Sequence, residues 1–340
     1  MASDSPCLPS YMTGLALGGH RLDRIGQGFC GTVWAETPSR TGQLCIKRED
    51  GGPGRSIRNE YQIQAMLTSK LAGNPRYAVG FSVPASPSPL EEANPLWEHL
   101  LPGFPPDYEA CNAMVSERIQ PLCAGGREEL VRRYCPGDIQ DRILADGKNE
   151  ACLARLYLGR RRKQTQSGAR RRFFSLRNYP LHADQVEELG LPSAEYARAM
   201  ARALTFLNWG AGIDGNDVEF VLAAPRTGAG NPGWDSGSLG RHGLWMLDFD
   251  CCRGITMDEK GVEQIVRAFW RNDPYYPRPG GGADGDERLW EVFAAEYRRT
   301  SVEIIHGEAQ GQKDVVGHQG ALVDRVLARI PETRNTFAKG

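Results

Sequence analysis

The chain has 340 residues, 40% of them apolar and 24% charged, with 41 basic side chains against 42 acidic ones. That composition leaves room for a large core and excludes collagen-like, disordered and disulfide-framework chains. Net charge is close to zero, so binding to a polyanion has to come from a local patch and not from the whole surface.

The opening MASDSPCLPSYMTGLALGGH lacks the basic-then-apolar layout of a secretory signal, and no run of 18 apolar residues follows. No membrane contact and a cytoplasmic location are therefore expected. Residues 20–47 alternate like paired strands around the glycine-rich turn GQGFCGTV, 26–33. The spacing of Ile57, Tyr61, Gln64 and either Leu67 or Met66 predicts a helix over 57–70. Proline-rich 83–106 is expected to be an irregular insertion. NAMVSERI (112–119) reads as a strand leading into QPLCAGG, an expected hinge.

In the second half, Ser193 is the expected N-cap of a helix over 193–209, with Tyr196, Met200, Leu204 and Leu207 at helical spacing. Strands are predicted at 217–223 and 243–250, separated by a long loop, PRTGAGNPGWDSGSLGR. Helices are predicted at 258–271 and 287–305, split by NDPYYPRPGGGADGD. The nine cysteines form no CxxC pair, which argues against a structural zinc site; reduced thiols are expected, with Cys251 and Cys252 in apolar packing.

The stretch AGIDGNDVEFVLAAP places Asp214, Asp217 and Glu219 within six positions beside an apolar run. On a strand, alternate residues share a face ~7 Å apart, so Asp217 and Glu219 are expected on one side and Val218, Phe220 and Leu222 on the other. LWMLDFDCC repeats the design with Asp248 and Asp250. Paired strands would bring up to five carboxylates to one cleft. Mutual repulsion then calls for a cation, whether a metal, a lysine, or a substrate guanidinium or ammonium. Further back, LGRRRKQTQSGARRRFF puts Arg160, Arg161, Arg162, Lys163, Arg170, Arg171 and Arg172 into thirteen residues ahead of two phenylalanines. Such a block suits nucleic-acid phosphates, with aromatics available for stacking.

GQGFCGTV, the strand lysine Lys47, the helix glutamate Glu60 and the late Asp248-Phe249-Asp250 resemble, in that order, the protein-kinase signature. The resemblance implies an α+β fold in two lobes: 1–340 as a single kinase-like unit, 18–119 the strand-rich N-lobe with its insertion at 83–106, and 120–340 the helix-rich C-lobe with the basic segment 158–179. The departures are large. No HRD is present, GIDGNDVEF stands in its place, Glu219 falls where kinases put a metal-binding asparagine, and no APE follows.

GIDGNDVEFVL, WMLDFDCCRGITMD, AFWRNDPYYPRP and LWEVFAAEYRRTS resemble a fungal family that carries a zinc-finger label and whose characterised members are arginine-containing cyclodipeptide synthases. The resemblance implies an aminoacyltransferase that joins arginyl-tRNA and a second aminoacyl-tRNA into a secondary-metabolite diketopiperazine. It implies no cofactor, no resident metal and no obligate protein partner. Asp217 and Glu219 are the first candidates for catalysis or guanidinium capture, then Asp214 and Asp248. Asp250, Lys47 and Glu60 are expected to line the substrate site, and the basic block to hold tRNA. The alternatives are a small-molecule phosphotransferase on the kinase-like scaffold, with Lys47 on the phosphates and Asp248 on magnesium, and an inactive kinase-like binding module.

Overall fold

The computed structural model describes residues 21–36, 43–163, 173–226, 233–272, 274–309 and 311–337. Among the described residues the chain is a mixed α and β protein with two five-stranded sheets. The first sheet runs in the order β1-β2-β3-β5-β4, from β1 (Leu22–Gln27), β2 (Thr32–Glu36), β3 (Leu44–Arg48), β4 (Ser88–Leu90) and β5 (Ala113–Glu117). Gln27 pairs with Thr32, so the glycine-rich turn closes a hairpin, as its position between two alternating segments implies. A side chain at Gly31 would meet the Arg48 carbonyl oxygen at 2.0 Å, which leaves glycine as the residue that fits.

Helix α1 (Ile57–Gly73) follows β3 and buries Ile57, Glu60, Ile63, Gln64 and Leu67. Ser56 caps it, accepting from the Asn59 N–H. The proline-rich insertion is more regular than expected. It contributes β4 and a short helix, Trp97–Leu100. Its apolar side chains explain the order: Leu90, Trp97, Leu100 and Phe104 pack on Trp34, Ile46 and Val115 and cover one face of the first sheet. That face could not stay exposed without losing the main driving force of folding.

The second sheet, in the order β7-β6-β8-β10-β9, comprises β6 (Ala154–Tyr157), β7 (Pro180–His182), β8 (Glu219–Ala223), β9 (Trp234–Ser236) and β10 (Gly240–Leu247). β9 lies inside the segment expected to be a long loop and pairs with the start of β10. The expected hinge is partly absorbed by α2 (Ala124–Tyr134), where Gly126 lets the helix approach the Leu239 carbonyl. Ser82, in the chain that leads into β4, bonds to the second sheet: its N–H donates to the Leu244 carbonyl and its own carbonyl accepts from Met246 N–H.

Helices α3 (Ser193–Thr205), α4 (Glu259–Arg271), α5 (Asp284–Glu308) and α6 (Lys313–Glu332) complete the core. α3 is buried almost all round and lies against α5. Ser193 is its first helical residue and not its cap; Pro192 precedes it with no side-chain cap. α4 is capped by Asp258, whose carboxylate accepts from Lys260 and Gly261 N–H. After α3 a π-helical turn, Phe206–Gly210, brings Asn208 inward, where it donates to the Ile213 carbonyl and accepts from Tyr297 Oη. That network fixes the start of the GIDGN turn.

Candidate functional site

β8 and β10 pair antiparallel, with Leu247 opposite Glu219. The end of one strand therefore lies beside the start of the other, and the acidic residues flanking both are brought to one cleft. Four of the five carboxylates expected to converge, Asp217, Glu219, Asp248 and Asp250, share the cleft, whereas Asp214 does not, and the cause differs from the one expected. β8 begins at Glu219 and β10 ends at Leu247, so Asp217, Asp248 and Asp250 sit on turns and not on strand faces. Residues 220–223 of β8 are buried on both sides, because helices cover one face and neighbouring chain the other. Asp217 and Asp248 both adopt the left-handed conformation, at φ 64° and 69°. Aspartate tolerates that region better than most residues, yet strain of about 1 kcal/mol or more is usual there and clusters at functional sites.

Each carboxylate of the cleft has a cation from the chain itself. Lys47 Nζ lies 2.6 Å from Glu60 and 2.8 Å from Asp248. Arg155, on β6, pairs with Glu219 at 2.8 Å. Arg55 Nη1 donates to Asp217 at 2.7 Å, to Asp250 at 3.0 Å and to Cys251 Sγ at 2.6 Å. Its guanidinium also lies over the exposed Phe29 ring of the glycine-rich turn, 5.2 Å from the centroid. Glu60, Asp217, Glu219, Asp248 and Asp250 thus outnumber their three cations by two.

The electrostatics follow from burial. Burial pushes Glu219 up from 4.5 to about 7, with Arg155 opposing, and pushes Glu60 to about 7 with Lys47 opposing. Asp250 is also raised by burial. Burial alone would lower Lys47, but Glu60 and Asp248 hold it well above its ordinary value. Glu60 is sealed at 2% exposure, whereas the Glu219 side chain keeps 17%. Glu219 is therefore the carboxylate that combines a near-neutral pKa with access, the requirement for a general base.

Asp214 stands apart. It is buried, with its carboxylate accepting from Asn216 and Arg253 N–H and from Gln264 Nε2 on α4. It braces the turn and does not point at Lys47, Arg55 or Arg155. Asn272, in the NDPYYPRP segment, positions Asp217: its Oδ1 accepts from the Asp217 N–H at 2.5 Å and its Nδ2 donates to Gly215 O at 2.8 Å. Cys252 is buried as expected, but Cys251 is half-buried and holds Arg55.

The basic block resolves differently from its appearance in the sequence. Arg161 pairs with Glu187 and Asp286, and Arg162 with Asp184 and Glu188, all within the protein. Arg160 and Lys163 are exposed. Arg170, Arg171 and Arg172 lie outside the described residues. Phe173 is 82% exposed.

Sequence reasoning missed Arg55 and Arg155. Arg155 carried a signal, since a charge in the otherwise apolar ARLY strand needs a buried counter-charge. Arg55 carried little, because a loop arginine is ordinarily solvated.

A family model described as zinc finger protein matches residues 244–309. No curated protein matches the sequence. The zinc description finds no support in the donor chemistry of that segment. Its zinc-type sulfur and imidazole donors are Cys251, Cys252 and His306, and Cys252 Sγ is buried against the Asn216 carbonyl. Among the described residues, Asp217, Asp250 and Cys251 have ligand atoms within 4.8 Å of one another, and the cation on them is Arg55.

Proposed function

We propose that the chain is an aminoacyl-tRNA-dependent synthase of an arginine-containing cyclic dipeptide, built on a protein-kinase-like scaffold of two lobes, 18–119 and 120–340. The carrying observation is Arg55. The cleft already holds a guanidinium between two carboxylates and an aromatic ring, which is the chemistry an arginyl substrate requires. Asp217 and Asp250 take the guanidinium of the arginyl group once Arg55 withdraws.

An aminoacyl ester is already activated, so amide formation needs positioning and proton transfer and no ATP. Glu219 accepts a proton from the amine of one aminoacyl group as its nitrogen attacks the ester carbonyl of the other. A C–N bond forms, the ester C–O bond breaks, and one tRNA leaves with its terminal hydroxyl reprotonated. The free amine of the resulting dipeptidyl ester then attacks the second ester, closing the ring and releasing the second tRNA. Lys47, beside Asp248, lies on the wall of the same cleft and supplies positive charge for the developing oxyanion. The test is an assay with purified arginyl-tRNA, a pool of other aminoacyl-tRNAs and no ATP. Absence of any arginine-containing diketopiperazine by mass spectrometry ends this reading.

One observation favours a second reading. Lys47 between Glu60 and Asp248 is the arrangement a kinase uses on nucleotide phosphates and magnesium. Under that reading the protein transfers phosphate to a small molecule, and magnesium-ATP raises its melting temperature in a Lys47-dependent way.

A further inference from the structure

Arg118 follows β5 directly, and its N–H donates to the Gln43 carbonyl at 2.7 Å. Its side chain is buried, with the residue 5% exposed, and among the described residues neither Nε nor Nη1 has a hydrogen-bond partner. Arg48, buried to a similar degree, also leaves one nitrogen, Nη1, without a hydrogen-bond partner, but the rest of its guanidinium is held. It pairs with Asp50, donates to the Glu109 carbonyl and lies among the rings of Trp97, Phe104 and Tyr108. Among the described residues Arg118 has no such set. Burial pulls its pKa below the ordinary value, and the opposing influence is the Cys45 thiol, with no carboxylate acting on it. A buried cation left without an anion is costly, and folding tolerates it where a ligand supplies the missing charge.

Arg118 lines a cavity of about 880 Å³, large enough for a small organic ligand. Five further cations, Arg127 among them, line its wall against the four carboxylates of Asp23, Glu36, Asp146 and Glu150, and so does the half-buried Tyr108 ring, which also packs on Phe104. Guanidinium groups match the oxygens of phosphate, and aromatic faces take nucleobases.

We propose that this cavity binds a nucleotide, with its phosphate on Arg118 and its base against Tyr108, presented either by a free nucleotide or by the 3′ end of an RNA. The site is distinct from the acidic cleft, and its occupancy is read as binding, so its failure and the failure of the synthase reading are separate results. Calorimetric titration of the full chain with AMP, with adenosine and with a single-stranded RNA ending in CCA tests it. AMP or the RNA binds, and adenosine binds at least roughly tenfold more weakly than AMP where AMP binds. Binding by AMP points to the free nucleotide, and binding by the RNA alone points to an RNA end. Arg118→Met weakens the bound phosphate ligand by roughly 10- to 100-fold and raises the melting temperature of the ligand-free protein, while Arg118→Lys falls between. No binding by either probe, or wild-type affinity in Arg118→Met, overturns the proposal. If Arg118→Met does not fold, Arg127→Glu decides: weaker binding supports the site, and unchanged affinity overturns it.

Discussion

In the acidic cleft, five carboxylates lie among three cations that the chain provides, with contacts of 2.6 to 3.0 Å. Arg118 differs: among the described residues neither Nε nor Nη1 of this buried cation has a hydrogen-bond partner, and the cavity it lines carries cations and carboxylates in nearly equal number. The difference is one of timing. The cleft's five carboxylates are each paired during folding, sharing three cations, so its geometry exists before any substrate arrives, and in the synthase reading a substrate cation has to take the place of Arg55. At Arg118 nothing is matched in advance, and a ligand anion adds its full attraction without displacing a resident group.

The sharpest way to break this contrast is to remove one partner of the sealed pair. Lys47→Met leaves Glu60 buried without its cation, with an expected loss of about 3 to 5 kcal/mol of stability by urea denaturation. Lys47→Met combined with Glu60→Leu recovers most of that loss, and a double variant no better than the single one contradicts the account. In the synthase reading, Glu219→Gln lowers diketopiperazine formation by about 100-fold or more while the far-ultraviolet circular dichroism is unchanged, because a general base is gone and the fold is not.

The pH dependence sharpens the same comparison. With Glu219 at about 7, product formation falls about tenfold per unit below that value, as the base becomes protonated. Stability moves the other way. Glu60 and Glu219 are raised above 4.5, so the folded state holds their protons more tightly than the unfolded chain. Their contribution is full below ~4.5 and is lost as pH rises through about 7. A urea midpoint that climbs between pH 5 and 8 because of these two groups would falsify the burial argument.

A smaller effect is expected at Arg55. Arg55→Ala removes the competing guanidinium and lowers KM for arginyl-tRNA severalfold with kcat little changed. A raised KM assigns Arg55 to holding the cleft together. The smallest effect is on the surface: Arg132→Ala breaks an exposed pair with Glu129 and changes stability by under about 0.5 kcal/mol in thermal melts.

Much of the molecule was legible in the sequence because its signals are local. The hairpin around GQGFCG, the helices at 57–70 and 258–271, and the placement of acidic residues beside the start of β8 and the end of β10 all follow from periodicity and turn chemistry within a few residues. The errors share a cause as well. The sequence pattern places Asp217 and Asp248 on strands because alternation is satisfied on paper, yet both occupy left-handed turns held by contacts such as the one Asn272 makes to Asp217 from 55 positions away. The insertion at 83–106 looks irregular in the sequence because its order comes from covering a distant sheet face.

The sequence by itself determined the periodic elements, the glycine-dependent turn and the concentration of carboxylates near two strand ends, since each depends on neighbours along the chain. The tertiary structure decided which charges meet. Lys47 reaches Asp248 across 201 residues and Arg55 reaches Asp217 across 162, while Arg161 and Arg162 pair with the protein's own acids and, among the described residues, Nε and Nη1 of Arg118 pair with none. The physical reason is range: backbone preferences act over a turn or two, but the energy of a charge is set by whatever folding places within a few ångströms of it.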